Sequence, residues 1–414
     1  PIDGEGSKDG ISSFFTDSDG YMYILDLFGT AQDGGVIHKV VRSGTVSDPP
    51  KKLSSLNVFS DLESLTPVAG IVPYDVNTPL WSDGAEKQRW IALPNDGEHN
   101  SAAEQIVFQN EENWSFPPGT VVIKQFNLPV DENDSTKIIK LETRFLVFNE
   151  NNNAYAVTYK WNDEQTDAVL VGLDESISQK YQVKKKDGSV VEQTWDFPTR
   201  NQCMQCHNSV AGYSLGLKTR QLNKNFTYPS TGITGNQLET WSHLNMFTND
   251  IPSHVKLPAS AHINSEKASD VMKVRSYMDA NCAYCHRPNG VEGAFDGRAM
   301  TALYDQYLIN QDVESHASIP GNKIVKPKDV INSTLYVRDA SNSDDRMPPI
   351  GRNMLDEDYL ETLIGWIDGL DVNGPISVEN GWYNLKMGNL EKYLAIEDAS
   401  LLTNARAINS ISNV

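Results

Sequence analysis

The chain has 414 residues and only four cysteines, and these stand as two pairs with one local pattern. Cys203-Met204-Gln205-Cys206-His207 and Cys282-Ala283-Tyr284-Cys285-His286 both read C-x-x-C-H. That pattern is the attachment signature of c-type haem. The thiols add across the porphyrin vinyl groups, and the adjacent imidazole is pinned beneath the iron as its proximal ligand. Structural zinc knuckles usually recur ~15–20 residues apart, whereas 76 positions separate Cys206 from Cys282. A thioredoxin-like redox pair wants a βαβ setting, and a secreted disulfide has no need of a histidine after each pair. The expectation is two covalently bound haem c groups. Cys203, Cys206, Cys282 and Cys285 are then the thioether anchors, with His207 and His286 on iron. Covalent attachment takes place outside the cytoplasm, so the expected location is periplasmic, outer-membrane-associated or extracellular.

The sixth iron ligands must come from the elements around the motifs. Before the second motif, Asn264 or Ser265 can cap a helix whose apolar positions Ala268, Val271, Val274 and Met278 fall at helical spacing. Beyond it, Asp356 can cap another, with Leu355 and Leu360 as a hydrophobic staple. Leu360, Leu363, Ile364 and Ile367 make its apolar face, and Gly369 stops it. Two helices bracketing C-x-x-C-H is the plan of a small class I cytochrome c. Between them, Met347 follows His286 by 61 residues in a Met-Pro-Pro turn that cannot be helical. A thioether on so stiff a loop suits the distal ligand of the second haem. The first motif follows Trp195-Asp196-Phe197-Pro198 directly, with no amphipathic helix before it. Its distal ligand is expected from His243, Met246 or His254, from the β-rich region, or not at all. His243 ranks first because imidazole is the stronger iron ligand. Arg200, Arg220, Arg287 and Arg346 flank the motifs and can pair with haem propionates or simply be solvated.

The rest of the chain must carry these sites. A 39% hydrophobic content with 8 Trp, 16 Tyr and 13 Phe supports real cores, which excludes a disordered chain. A net charge of −20 makes nucleic acid and anionic lipid poor partners. No apolar run approaches the ~18 residues of a spanning helix, and the start lacks a basic-then-apolar leader, as expected if an export signal has been removed. Residues 1–49 read as a β-hairpin stretch. Residues 50–197 form a β-rich region, Pro-rich and polar to about 110 and then strand-like at 120–126, 138–148, 154–161 and 168–171. Lys186-Asp187-Gly188 supplies a hairpin turn near its end. A first haem region at 198–263 and a second at 264–372 follow, with a β-like tail at 373–414.

Several runs resemble known families. Pro79-Leu80-Trp81-Ser82-Asp83-Gly84-Ala85, Phe116-Pro117-Pro118-Gly119-Thr120-Val121, Glu142-Thr143-Arg144, Trp161 to Ala168 and both haem motifs resemble a family of bacterial dihaem c-type cytochromes. That family is often fused behind a glucose/sorbosone dehydrogenase-type β-propeller that uses pyrroloquinoline quinone. The stretch Phe14 to Ile37, with Asp17-Ser18-Asp19-Gly20 and Gly34-Gly35, resembles the closing blade of such a propeller. Trp382 to Ile396 resembles the first hairpin of a ricin-type β-trefoil, which implies a possible glycan contact through the tail. Together these imply electron transfer with a redox partner protein or dehydrogenase domain and no substrate chemistry in this chain. The expected fold is α+β: an antiparallel β-rich half, then helical cytochrome c-type haem domains, then a short β tail. A dihaem peroxidase and a structural or adhesive component of an electron-conducting assembly are the alternatives.

Overall fold

The structure is a computed structural model. It describes residues 49–150, 153–172, 175–290, 292, 294–313 and 321–372, together with six strands nearer the ends. Three of those strands, β1 (Ile11–Thr16), β2 (Met22–Asp26) and β3 (Val36–Lys39), form an antiparallel meander. The Asp17–Gly20 turn and Gly34-Gly35 lie outside the described residues.

After a small pair, β4 (Phe59–Asp61) with β5 (Thr66–Pro67), the chain builds a six-stranded antiparallel sheet. Its members are β6 (Ile71–Tyr74), β7 (Glu86–Ala92), β8 (Val121–Pro129), β9 (Ile138–Phe148), β10 (Ala154–Trp161) and β11 (Ala168–Leu170), in simple up-and-down order. Side chains alternate between faces with period two, and here both faces are covered. Ile123, Phe145, Val157 and Tyr159 pack on Leu53, Phe59 and Leu65. Ile91, Val122, Leu146 and Ala156 share the opposite cluster with Leu222, Leu238 and Trp241. A hairpin of β12 (Ile177–Lys184) and β13 (Val190–Phe197) adds Val183, Trp195 and Phe197 to Phe126 and Leu141. Gly188 takes the positive φ of +85° that its turn requires.

The expected helical haem half does not form. Among the described residues there are six α-helices against eighteen strands, and the sheets are antiparallel. The first haem region holds only α1 (Arg200–Cys206), α2 (Thr219–Leu222) and α3 (Gln237–His243), with β14 (Asn225–Thr227) paired to β15 (Thr234–Asn236). The second holds α4 (Asp270–Asn281), α5 (Thr334–Asp339) and α6 (Glu357–Gly369). The described part of the stretch between α4 and α5 is turns, isolated bridges and two short 3-10 helices, because Pro288, Gly290, Gly297 and Pro327 break it and Asn289, Tyr307, Asn310 and Lys328 adopt positive φ. The helix before the second motif also begins later than its spacing predicts, at Asp270 after Ser269. α6 does start at Asp356, whose carboxylate accepts from the Tyr359 amide at 3.2 Å, and ends at Gly369. α4 and α6 pack through a face-to-face stack of Tyr277 on Tyr359, centroids 3.6 Å apart. The backbone strands β16 (Leu385–Lys386), β17 (Tyr393–Ile396) and β18 (Ala405–Ile408) close the chain as a three-stranded sheet. Trp382 and Gly388-Asn389 fall outside the described residues. No helix among the described residues is long and apolar enough to cross a membrane.

Candidate functional site

The first C-x-x-C-H motif is itself a helix. Thr199 caps α1 and forms a capping box with Gln202: the Gln202 amide donates to Thr199 Oγ1 at 3.2 Å, and Gln202 Oε1 accepts from the Thr199 amide at 2.9 Å. One turn later Cys203, Cys206 and His207 fall on neighbouring positions, with His207 as the C-cap. The His207 Nδ1–Tyr213 carbonyl contact is 2.6 Å. A carbonyl only accepts, so the ring proton is on Nδ1 and the lone pair of Nε2 is free for a metal. Tyr213 offers that carbonyl from a positive φ of 57°, held by its hydroxyl on Asn153 Oδ1 at 2.6 Å. Burial and the nearby Lys124 bring His207 down to about 3, so the ring is neutral at ordinary pH.

Cys203, Cys206 and His207 line a cavity of about 350 Å³, within the usual range for cofactor sites, ~300–1,000 Å³. Its floor is one face of the central sheet, read in register: Val122 opposite Leu146, Lys124 opposite Arg144, and Ala156 opposite Leu146 on the next strand. Phe126, Trp195 and Phe197 extend the apolar wall, and Trp81, Asn281 and Tyr284 approach from the second haem region. Arg346, Pro348, Pro349 and Ile350 close another side, so the Met-Pro-Pro loop borders the first motif's cavity.

Across β7, β8 and β9 this face carries three cations in a row, Arg89, Lys124 and Arg144. Like charges directly opposite on adjacent strands are destabilising, so each needs an explanation. Arg89 donates to Asp75 at 3.0 Å, and the Arg144 Nε donates to Glu142 at 2.9 Å. Lys124, in the middle, has no carboxylate partner among the described residues. Its burial, with Arg89 and Arg144 close by, brings it down to about 7. An unpaired ammonium at an enclosed wall is a seat for an anionic group, such as a carboxylate of a bound cofactor.

The second motif is placed differently. Cys282 caps the end of α4, and the Cys285 and His286 amides both donate back to the Cys282 carbonyl, at 3.2 and 3.0 Å. The His286 ring stacks on Phe295 at 4.2 Å, and its buried Nδ1 has no partner among the described residues. Burial, then the charge of Arg338, lowers it to about 4. Met347 is half-buried after α5 and donates its amide to the Arg338 carbonyl at 3.1 Å. α5 thus stands beside both His286 and the Met347 loop.

None of the three residues considered as distal ligand to the first haem lines the cavity that His207 lines. His243 is exposed at the end of α3, Met246 is buried in the aromatic core with Trp241 and Phe247, and His254 is bound to Glu239 at 2.5 Å. Of the flanking arginines, Arg346 borders the cavity, while Arg220 pairs with Glu111 at 2.6 Å. Sequence reading named Trp81 and Arg144 only as parts of family-like runs and gave no part to Lys124 or Tyr213. Only the T-x-x-Q of Thr199 and Gln202 announced the motif helix. Among the described residues no group of three or more His, Cys, Asp or Glu side chains is arranged to hold a metal ion, so the four cysteines do not converge as a zinc cage requires.

The residues present fit c-type haem. A cysteine pair and a tautomer-fixed imidazole border one mainly apolar cavity, and the second imidazole keeps an orphaned buried nitrogen. No protein-family model matches the chain, and no curated protein or solved structure does either.

Proposed function

We propose that the chain is an exported dihaem c-type cytochrome that moves single electrons, taking them from a sugar- or alcohol-oxidising domain or partner. The observation that carries this is His207: its Nδ1 is committed to a carbonyl while Cys203 and Cys206 border the same cavity. Bound haem supplies a one-electron ferric/ferrous couple. Cys203 and Cys206 would anchor the first group and Cys282 and Cys285 the second, with His207 and His286 offering Nε2 and Met347 a thioether. The apolar wall of Val122, Phe126, Leu146 and Phe197 excludes water, and an anionic group set against Lys124 would favour its charged form. The expected result is an intact mass exceeding the bare polypeptide by two haems, with haem stain retained through denaturing electrophoresis. A mass equal to the bare polypeptide removes the proposal.

One observation favours a second reading, in which the first iron keeps an open sixth position and binds peroxide or a small anion. No histidine other than His207, and no methionine, lines that cavity among the described residues, while Lys124 and Arg144 do. Electron paramagnetic resonance of the oxidised protein separates the two. A high-spin ferric signal converted to low spin by cyanide, with turnover of hydrogen peroxide, selects the open site. Two low-spin signals unmoved by cyanide select the carrier.

A further inference from the structure

The two C-x-x-C-H motifs, 76 positions apart in the chain, meet in the fold. The Cys206 and Cys285 thiols lie within hydrogen-bond reach of one another. Beside them a second tie, independent of sulfur, joins the same segments: Asn208 Nδ2 donates to the Tyr284 carbonyl at 3.2 Å. Both ends of that tie are themselves fixed. Asn208 Oδ1 accepts from the Ala211 amide at 2.8 Å, and the buried Tyr284 donates its hydroxyl to the Ala280 carbonyl one turn back in α4. The meeting therefore also involves the main chain of the second motif, held by the side chain that follows the first, and not only two thiols that happen to touch.

We propose that Cys206 and Cys285, the inner cysteine of each motif, bring the two haems together at one edge and make them a single electronically coupled pair. This rests on the haem reading above. A thioether sulfur is attached one carbon away from the rim of the macrocycle, so two such sulfurs in contact would bring the two rims near one another. The pair then works as a two-centre relay. One electron leaves the ferrous centre, which becomes ferric, and reduces its ferric neighbour to ferrous; no bond is made or broken and no proton moves. Electrons entering near Arg346 and the sheet-walled cavity would reach the α4–α6 side without crossing a hydrophobic core.

Soret circular dichroism of the oxidised holoprotein tests the pairing, after intact mass has established the haem content. Two transitions in contact couple and give a bisignate band centred on the absorption maximum, and two ferric spins in contact broaden each other's resonance lines. Both are the expected result. Asn208→Ala removes the tie to Tyr284, together with a longer contact at 3.4 Å to the Cys206 carbonyl, and replaces no cysteine and no iron ligand. It should weaken the couplet while leaving the haem content read from the mass, and the far-ultraviolet spectrum, unchanged. A mass short of two haems overturns the haem reading and the pairing with it. Two haems by mass, with a single-signed Soret band and the unbroadened lines of two isolated centres, overturn the pairing alone.

Discussion

Glu142→Ala is expected to lower the free energy of unfolding by about 3–5 kcal/mol, as breaking a buried ion pair from one side does. Glu142 is fully buried on β9 and is shared by two donors: Arg144, through its Nε at 2.9 Å, and the Trp195 indole at 2.9 Å. Without the carboxylate, the Arg144 guanidinium would lie uncompensated over the Phe126 ring, 4.3 Å from its centroid, and beside Lys124. The indole would lose its acceptor as well. Replacing both partners, Glu142→Ala with Arg144→Met, should recover much of the loss, because the uncompensated charge is gone. Urea denaturation with an unchanged m-value is the measurement. A single variant within about 0.5 kcal/mol of the parent, the range of an ordinary surface change, would show that the pair carries little of the wall.

Asp339→Asn should have the opposite sign and depend on pH. Asp339 is buried at the end of α5, and its carboxylate accepts from the Tyr359 hydroxyl at 2.9 Å. The neighbouring Arg352 gives its Nη1 to the Asp339 main-chain carbonyl instead, at 2.6 Å. Arg338, Tyr277, Asp356 and Cys282 complete the surroundings. Burial raises the carboxyl from 3.8 to about 7. In the unfolded chain it therefore ionises first, and folding becomes less favourable as pH climbs from about 4 to about 7. Above that range both states are ionised and the loss is complete. Asparagine keeps the acceptor for Tyr359 and abolishes the titration. At pH 8 the variant should be more stable by on the order of 3–4 kcal/mol, while near pH 4 the two proteins should match. Denaturation at pH 4, 6 and 8 reads the slope; parallel pH profiles for both proteins would refute the assignment.

What the sequence made legible follows from which forces are local. The strands from 121 to 197 read as strand-like blocks bounded by turn residues, so their existence needs no tertiary information. β6 and β7 were hidden because Pro73 interrupts the first of them, a placement that is tolerated only because β6 is an edge strand. Both C-x-x-C-H motifs are local chemistry and could be read directly. Lys124 could not, since a lysine in a strand ordinarily faces water, and only the register with Arg89 and Arg144 turns it inward. His243 failed to reach the cavity for a similar reason. Proximity along the chain places it near His207, yet α3 packs its apolar side on Trp114 and Phe247 and leaves the histidine outside. The helical haem half was inferred from two helices at the ends of a segment whose middle is governed by its prolines, glycines and left-handed residues.

The nearness of Cys206 to Cys285 also bears on how the protein matures. These are free thiols, and a hydrogen bond from one favours thiolate on the other. In an oxidising compartment such a thiolate is the nucleophile for exchange with a disulfide-bearing oxidant. Closure of Cys206 onto Cys285 would sew the two motifs together and remove one anchor from each at a single stroke. If the chain carries the haems proposed above, loading would be a race between ligation and oxidation. A dedicated reductant acting on this one sulfur pair would decide, for both sites at once, whether a newly made chain matures or is wasted.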